Sequence, residues 1–98
     1  EIDLEVILFH LQQATEKLLK AILDKNNLKV PRIHDIEELI KLCFDNKIVL
    51  IENIDILVDM ADFAVDGRYD LICDDINDTE LYIKTINKLL NLTKEIIK

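Results

Sequence analysis

The side chains able to move a proton near neutral pH are few. His10 and His34 are the only two histidines in the chain, and imidazole is the usual acid–base group at that pH. His34 could transfer a proton if the fold carries it to a cation able to stabilise developing negative charge. The competing reading is that His34 ends a connector and begins a short helix. His10 lies beside an apolar stripe and is expected to be a partly buried structural residue. Arg68 is the natural cation, since residues 45–80 hold eleven acids and only Lys47 and Arg68 as bases. Arg68 with Tyr69 could form a corner for phosphate or base, because the guanidinium offers a planar fork of donors and the phenol a stacking face. The alternative pairs Arg68 with Asp66 or Asp70 and lets Tyr69 close the bundle end. Lys17 and Lys20 could reach an anionic ligand, or could pair with Glu16 and Asp24 at the surface. Gln12 and Gln13 suit interhelical hydrogen bonds or a dimer contact.

A second group of residues is acidic. Glu52, Asp55, Asp59, Asp62 and Asp66 recur at steps of three and four, which puts five carboxylates on one helix face. Like charges at that spacing are mildly destabilising. Such a stripe could dock a basic partner or remain a solvated face. A divalent ion would need oxygen ligands wrapped around it, which one straight face does not supply. No Walker loop, GxSxG, HExxH or paired zinc spacing is present. With Gly67 as the one glycine, a glycine-rich phosphate cradle is excluded. No metal and no cofactor is expected.

These residues must be positioned by a small body. Ninety-eight residues suit one domain spanning 1–98. Half are hydrophobic and a third charged, with one glycine and one proline. That composition favours helices with short connections over a sandwich or barrel. The net charge of −8 disfavours non-specific attraction of the whole surface to phosphate backbones or anionic membranes. No apolar run is long enough for a membrane helix. Cys43 and Cys73 form no CxxC pair, which suits a reduced, cytoplasmic setting.

Four helices can be read. Leu4, Ile7, Leu11, Ala14, Leu18 and Ile22 predict a first helix from about Asp3 to Lys25, with Gln13, Glu16, Lys17, Lys20 and Asp24 on its polar side. Asn26-Asn27 ends it. Residues 28–33 form a connector in which Pro31 disfavours helix at Val30. Asp35 with Glu38 fits a capping box for a short helix to Asp45, its stripe Ile36, Leu39, Ile40 and Cys43. A third helix is expected over Leu50–Asp66 with Ile51, Ile54, Leu57, Val58, Ala61 and Val65 inward and Gly67 as its cap. After a loop at 68–77, a fourth runs from about Asp78 to the end. Ile83, Ile86, Leu90, Thr93 and Ile97 form its stripe, with Leu89 and Ile96 alongside. Short connections make neighbours antiparallel, so the expected fold is an all-α, antiparallel up-and-down bundle of three long helices and one short one.

The segment Phe9-His10-Leu11-Gln12-Gln13-Ala14-Thr15-Glu16-Lys17-Leu18-Leu19-Lys20-Ala21 closely resembles a signature helix of HEPN domains, which reads F-H-x-Q-Q-A-x-E-K-x-L-K-A. His34-Asp35-Ile36-Glu37-Glu38-Leu39 is similar to the family's H-D-L helix start, and Val65-Asp66-Gly67-Arg68-Tyr69-Asp70 to its R-Y element after a long helix. Three motifs in order cover nearly the whole chain. The family has a further long helix before the Q-Q-A helix; Asp3-Leu4-Glu5-Val6 looks like a piece of it, so part of an N-terminal helix is expected to be missing.

The resemblance implies a prokaryotic, cytoplasmic subunit that partners a small nucleotidyltransferase, as a nucleotide- or substrate-binding module or half of a toxin–antitoxin pair. It also implies a homodimer. Ligand-binding candidates are then Arg68, Tyr69, His34, Lys17 and Lys20, and partner-docking candidates are Glu52, Asp55, Asp59, Asp62 and Asp66. A large subset of the family are metal-independent ribonucleases with an R-x(4–6)-H motif. Here Cys73, Asp74 and Asp75 occupy the positions where that histidine would stand, and no histidine follows Arg68. The alternatives to a binding subunit are a ribonuclease with a diverged site and a structural helical dimer without ligand.

Overall fold

The computed structural model describes residues 4–66 and 76–97, with side chains described for 6–61 and 79–97. Among the described residues there are four helices and no strand: α1 (Leu4–Lys25), α2 (Ile36–Asp45), α3 (Ile54–Asp66) and α4 (Ile76–Ile96). They make an all-α bundle with extents of 40 × 23 × 21 Å. α1 packs against each of the other three helices, and α3 also packs against α2 and α4. A shallow depression lined by Ile51, Glu52, Asn53 and Lys88 puts the start of α3 beside the C-terminal half of α4, as an antiparallel pair requires.

The central place of α1 explains why its inward face differs from the predicted one. Leu8, Thr15, Leu19, Ile22 and Leu23 are buried, whereas Ile7, Leu11, Ala14 and Leu18 are only half-buried. The deepest line is therefore one residue later along most of the helix. A helix flanked on three sides covers a wide arc, and the predicted stripe becomes its shoulder. On α2 the expected stripe of Ile36, Leu39, Ile40 and Cys43 is the buried one. Its start is fixed by Asp35, whose carboxylate accepts the amides of Glu37 and Glu38 at 3.0 and 3.4 Å.

α1 and α2 end in the same way. Asn27 (φ 62°) and Lys47 (φ 60°) take the left-handed conformation. The amide of Leu28 then donates to the Leu23 carbonyl at 3.1 Å, and that of Ile48 to the Cys43 carbonyl at 3.0 Å. These are Schellman closures. Asn26 and Asn46, one residue earlier, each donate a side-chain amide to the carbonyl four residues back, at 2.8 Å. Ile48 is buried, so the turn also delivers an apolar side chain to the core.

α3 begins at Ile54, four residues later than expected from Leu50. Ile48 and Leu50 are buried ahead of it, so the inward residues at 48–51 belong to extended chain rather than to a helical turn. Within α3 the core includes Ile54, Leu57 and Ala61 as expected, and also Met60, which is fully buried. Val65, Gly67 and the 68–77 loop fall wholly or partly outside the described residues. α4 begins at Ile76, two residues early, and buries Thr79, Tyr82, Thr85, Ile86, Leu89 and Thr93. Ile83 and Ile97, assigned inward from the sequence, are exposed. Thr79 and Thr85 are buried instead, and Thr93 is buried as expected; Thr85 and Thr93 donate to the carbonyls of Leu81 and Leu89 at 2.7 and 2.8 Å, and Thr15 on α1 does the same to Leu11 at 2.9 Å, whereas the Thr79 hydroxyl has no hydrogen-bond partner among the described residues.

Candidate functional site

Glu16 sits mid-way along α1 and is only 5% exposed. It was expected on the polar side of the helix, and the structure corrects this. An unpaired carboxylate is costly to bury, so its partners matter. His34 meets it from the connector: Nδ1 lies 2.6 Å from Glu16 Oε1. Lys20 Nζ lies 3.7 Å from the same oxygen, one turn along α1. The Glu16–Lys20 pair is the i,i+4 contact expected from the sequence; the His34 contact spans eighteen residues and was not foreseen.

The pair is asymmetric. The carboxylate side chain is 7% exposed and the imidazole 80%. A carboxylate only accepts, so Nδ1 carries the hydrogen and Nε2 is left as the nitrogen available to a ligand. The neighbouring residue adds a second constraint. His34 ties the connector back to α1 while Asp35 caps α2, so two consecutive side chains set where the connector leaves one helix and enters the next.

The surroundings are basic although the chain as a whole carries a net charge of −8. Residues 17–34 contain Lys17, Lys20, Lys25, Lys29 and Arg32 against Asp24 alone. Lys17, Lys25, Lys29 and Arg32 are exposed, and Lys20 is half-buried. Arg32 was not picked out from the sequence, although this local reversal of charge would have pointed to it.

The structure thus brings together two of the predicted ligand-binding residues, His34 and Lys20, through a third residue assigned to the surface. Lys17 follows Glu16 on α1 and is exposed. Arg68 and Tyr69 lie outside the described residues. Glu52, Asp55 and Asp59 are exposed; Glu52 precedes α3 rather than lying on it, and the side chains of Asp62 and Asp66 are outside the described residues. Among the described residues no group of histidine, cysteine and carboxylate side chains could hold a metal ion, and no helix is long and apolar enough to cross a membrane.

His10 is exposed rather than partly buried. Its ring meets Phe9 edge to face, with centroids 5.7 Å apart and an interplanar angle of 70°. Cys43 is a buried free thiol, and burial pushes it from 9.0 to about 11. It is inert as a nucleophile near neutral pH.

Comparison with curated proteins and with solved structures gives no match. Comparison with family models gives one over residues 1–97, described as the HEPN domain. The match spans the Glu16 helix, the His34-Asp35 junction and the acidic α3 alike: the chain belongs to the HEPN domain family.

Proposed function

We propose that this HEPN domain is the nucleotide- or substrate-binding subunit of a nucleotidyltransferase pair, of the toxin–antitoxin kind. The observation that carries the reading is the junction of two signature motifs at Glu16 and His34, with Lys20 on the same carboxylate oxygen. A buried acid that holds an exposed imidazole and an ammonium in place suits recognition of an anionic ligand. Arg68 and Tyr69 are the further ligand candidates of this reading, the guanidinium for phosphate and the phenol for stacking. The exposed carboxylates Asp55 and Asp59 on α3, with Glu52 ahead of it, are the proposed docking side for the partner. Val6 and Phe9, one turn apart on α1 and about half exposed, suit contact with a second copy.

The test is co-expression with a small nucleotidyltransferase from the same genome. Co-purification is expected, and an Asp55→Lys/Asp59→Lys variant is expected to lose it. Retention of the partner by that variant rejects the docking face; absence of any complex rejects the pairing.

A second reading is favoured by the outward Nε2 of His34. An oriented imidazole can carry a proton, so the domain would cleave RNA without metal, and His34→Ala or Arg68→Ala would abolish cleavage. Purified protein inert toward RNA rejects it.

A further inference from the structure

Carboxylates alone select a partner's charge but give a docking surface no centre. Resting on the docking part of the reading above, we infer that Phe44 and Val49, on the turn from α2 toward α3, are the apolar anchor of that surface. Its occupant is a basic segment of the partner protein that carries apolar side chains of its own.

The first argument is how the two side chains are held outward. Phe44 is 54% exposed and Val49 81%. Phe44 follows the buried Cys43 in the last turn of α2. Val49 lies between Ile48 and Leu50, both buried. In extended chain successive side chains point to opposite sides, so burial of positions 48 and 50 turns position 49 to solvent.

The second argument is that the turn between them is fixed. The amides of Lys47 and Ile48 donate to the carbonyls of Phe44 and Cys43 at 3.0 Å each. The Asn46 side chain donates to the Leu42 carbonyl at 2.8 Å. An isolated exposed apolar side chain is ordinary on a protein surface. Here two of them flank one hydrogen-bonded turn, so binding would order little that is not already ordered.

The third argument is charge, which chooses the occupant. The exposed charged residues from α2 to the start of α3 include Glu37, Glu38, Asp45 and Glu52 against Lys41 and Lys47. Over residues 35–59 the count is seven acids to two bases, and among the described residues no ion pair joins those lysines to those acids. Nucleic acid or an anionic membrane would be repelled. A second copy seated on the same patch by two-fold symmetry would set acids against acids. A basic protein segment gains on both counts. Its apolar side chains cover Phe44 and Val49, and its cations meet the acids at the rim, an apolar centre with a polar margin.

The experiment measures the affinity of the whole chain for the nucleotidyltransferase of the co-expression test, by calorimetry. Phe44→Ser/Val49→Ser should weaken the complex by about thirtyfold or more, the scale of losing an interface hot spot. The thermal midpoint should stay near the wild-type value, because both side chains are exposed. Phe44→Leu/Val49→Ile keeps the apolar surface and should retain most of the affinity. Added salt should slow association of the wild type by screening the rim.

A complex that keeps its affinity in Phe44→Ser/Val49→Ser but loses it in Asp55→Lys/Asp59→Lys would overturn the anchor and leave the docking reading standing. Self-association of the wild type that disappears in the serine variant would assign the patch to a second copy and overturn the proposed occupant. Absence of any complex would reject the pairing itself, and the anchor with it.

Discussion

Glu16 Oε1 and His34 Nδ1 lie 2.6 Å apart, joining a carboxylate inside the bundle to an imidazole in solvent. The contact links α1 to the connector across eighteen residues, and its stability follows from what each partner leaves behind. In His34→Ala the carboxylate stays buried with only Lys20 at 3.7 Å, and the loss should be about 1–3 kcal/mol. Glu16→Ala with His34→Ala should cost clearly less than the two single losses together, because the contact can be lost only once. Urea unfolding of the four proteins measures this; strict additivity would mean that the two side chains are not coupled.

Asp35 alone accepts the amides of Glu37 and Glu38. Asp35→Ala should therefore destabilise by about 1 kcal/mol, and Asp35→Ser should recover most of it. Thermal melts resolve the difference. An alanine variant as stable as the wild type would show that α2 is held by its packing alone.

Lys47 holds φ 60° at the end of α2, a conformation in which a side chain is unfavourable and glycine is not. Lys47→Gly should stabilise the domain by up to about 1 kcal/mol, with no change in helix content by circular dichroism. A lower melting temperature would contradict the Schellman closure described for α2.

Burial lifts the Cys43 thiol from 9.0 to about 11. In a Cys73→Ser background the folded chain should react with a disulfide reagent at pH 8 far more slowly than the urea-unfolded chain. The raised value means that the folded state keeps its thiol proton where the unfolded state has lost it. This contribution to stability is present below pH 9 and falls away as pH rises toward 11. Equal rates for folded and unfolded chain would place Cys43 at the surface.

The elements most legible in the sequence are those whose structure is set locally. α2 is legible almost residue for residue, because its cap and stripe are local: Asp35 and the four apolar residues lie within one short segment. α1 was read as a helix but one step out of phase, since hydrophobic spacing identifies a face and not how many neighbours will cover it. α3 was started too early because Ile48, Leu50 and Ile51 look inward in extended chain as well as in helix. On α4 the apolar Ile83 and Ile97 look more inward than Thr79 and Thr85, whose burial depends on tertiary packing. Glu16 was placed outside by its charge, and only a histidine eighteen positions away reverses that. The H-D pair was seen as a motif; that its two side chains face opposite helices was not visible in one dimension.

The central claim is that the Glu16–His34 junction presents an anion-binding face. The most direct measurement is a proton–nitrogen correlation spectrum of the whole chain titrated with ATP. The account predicts saturable shifts at Lys20 and the His34 ring, together with little change at Asp55 and Asp59. Shifts confined to residues outside the 17–34 segment, or none at all at saturating ATP, would contradict it.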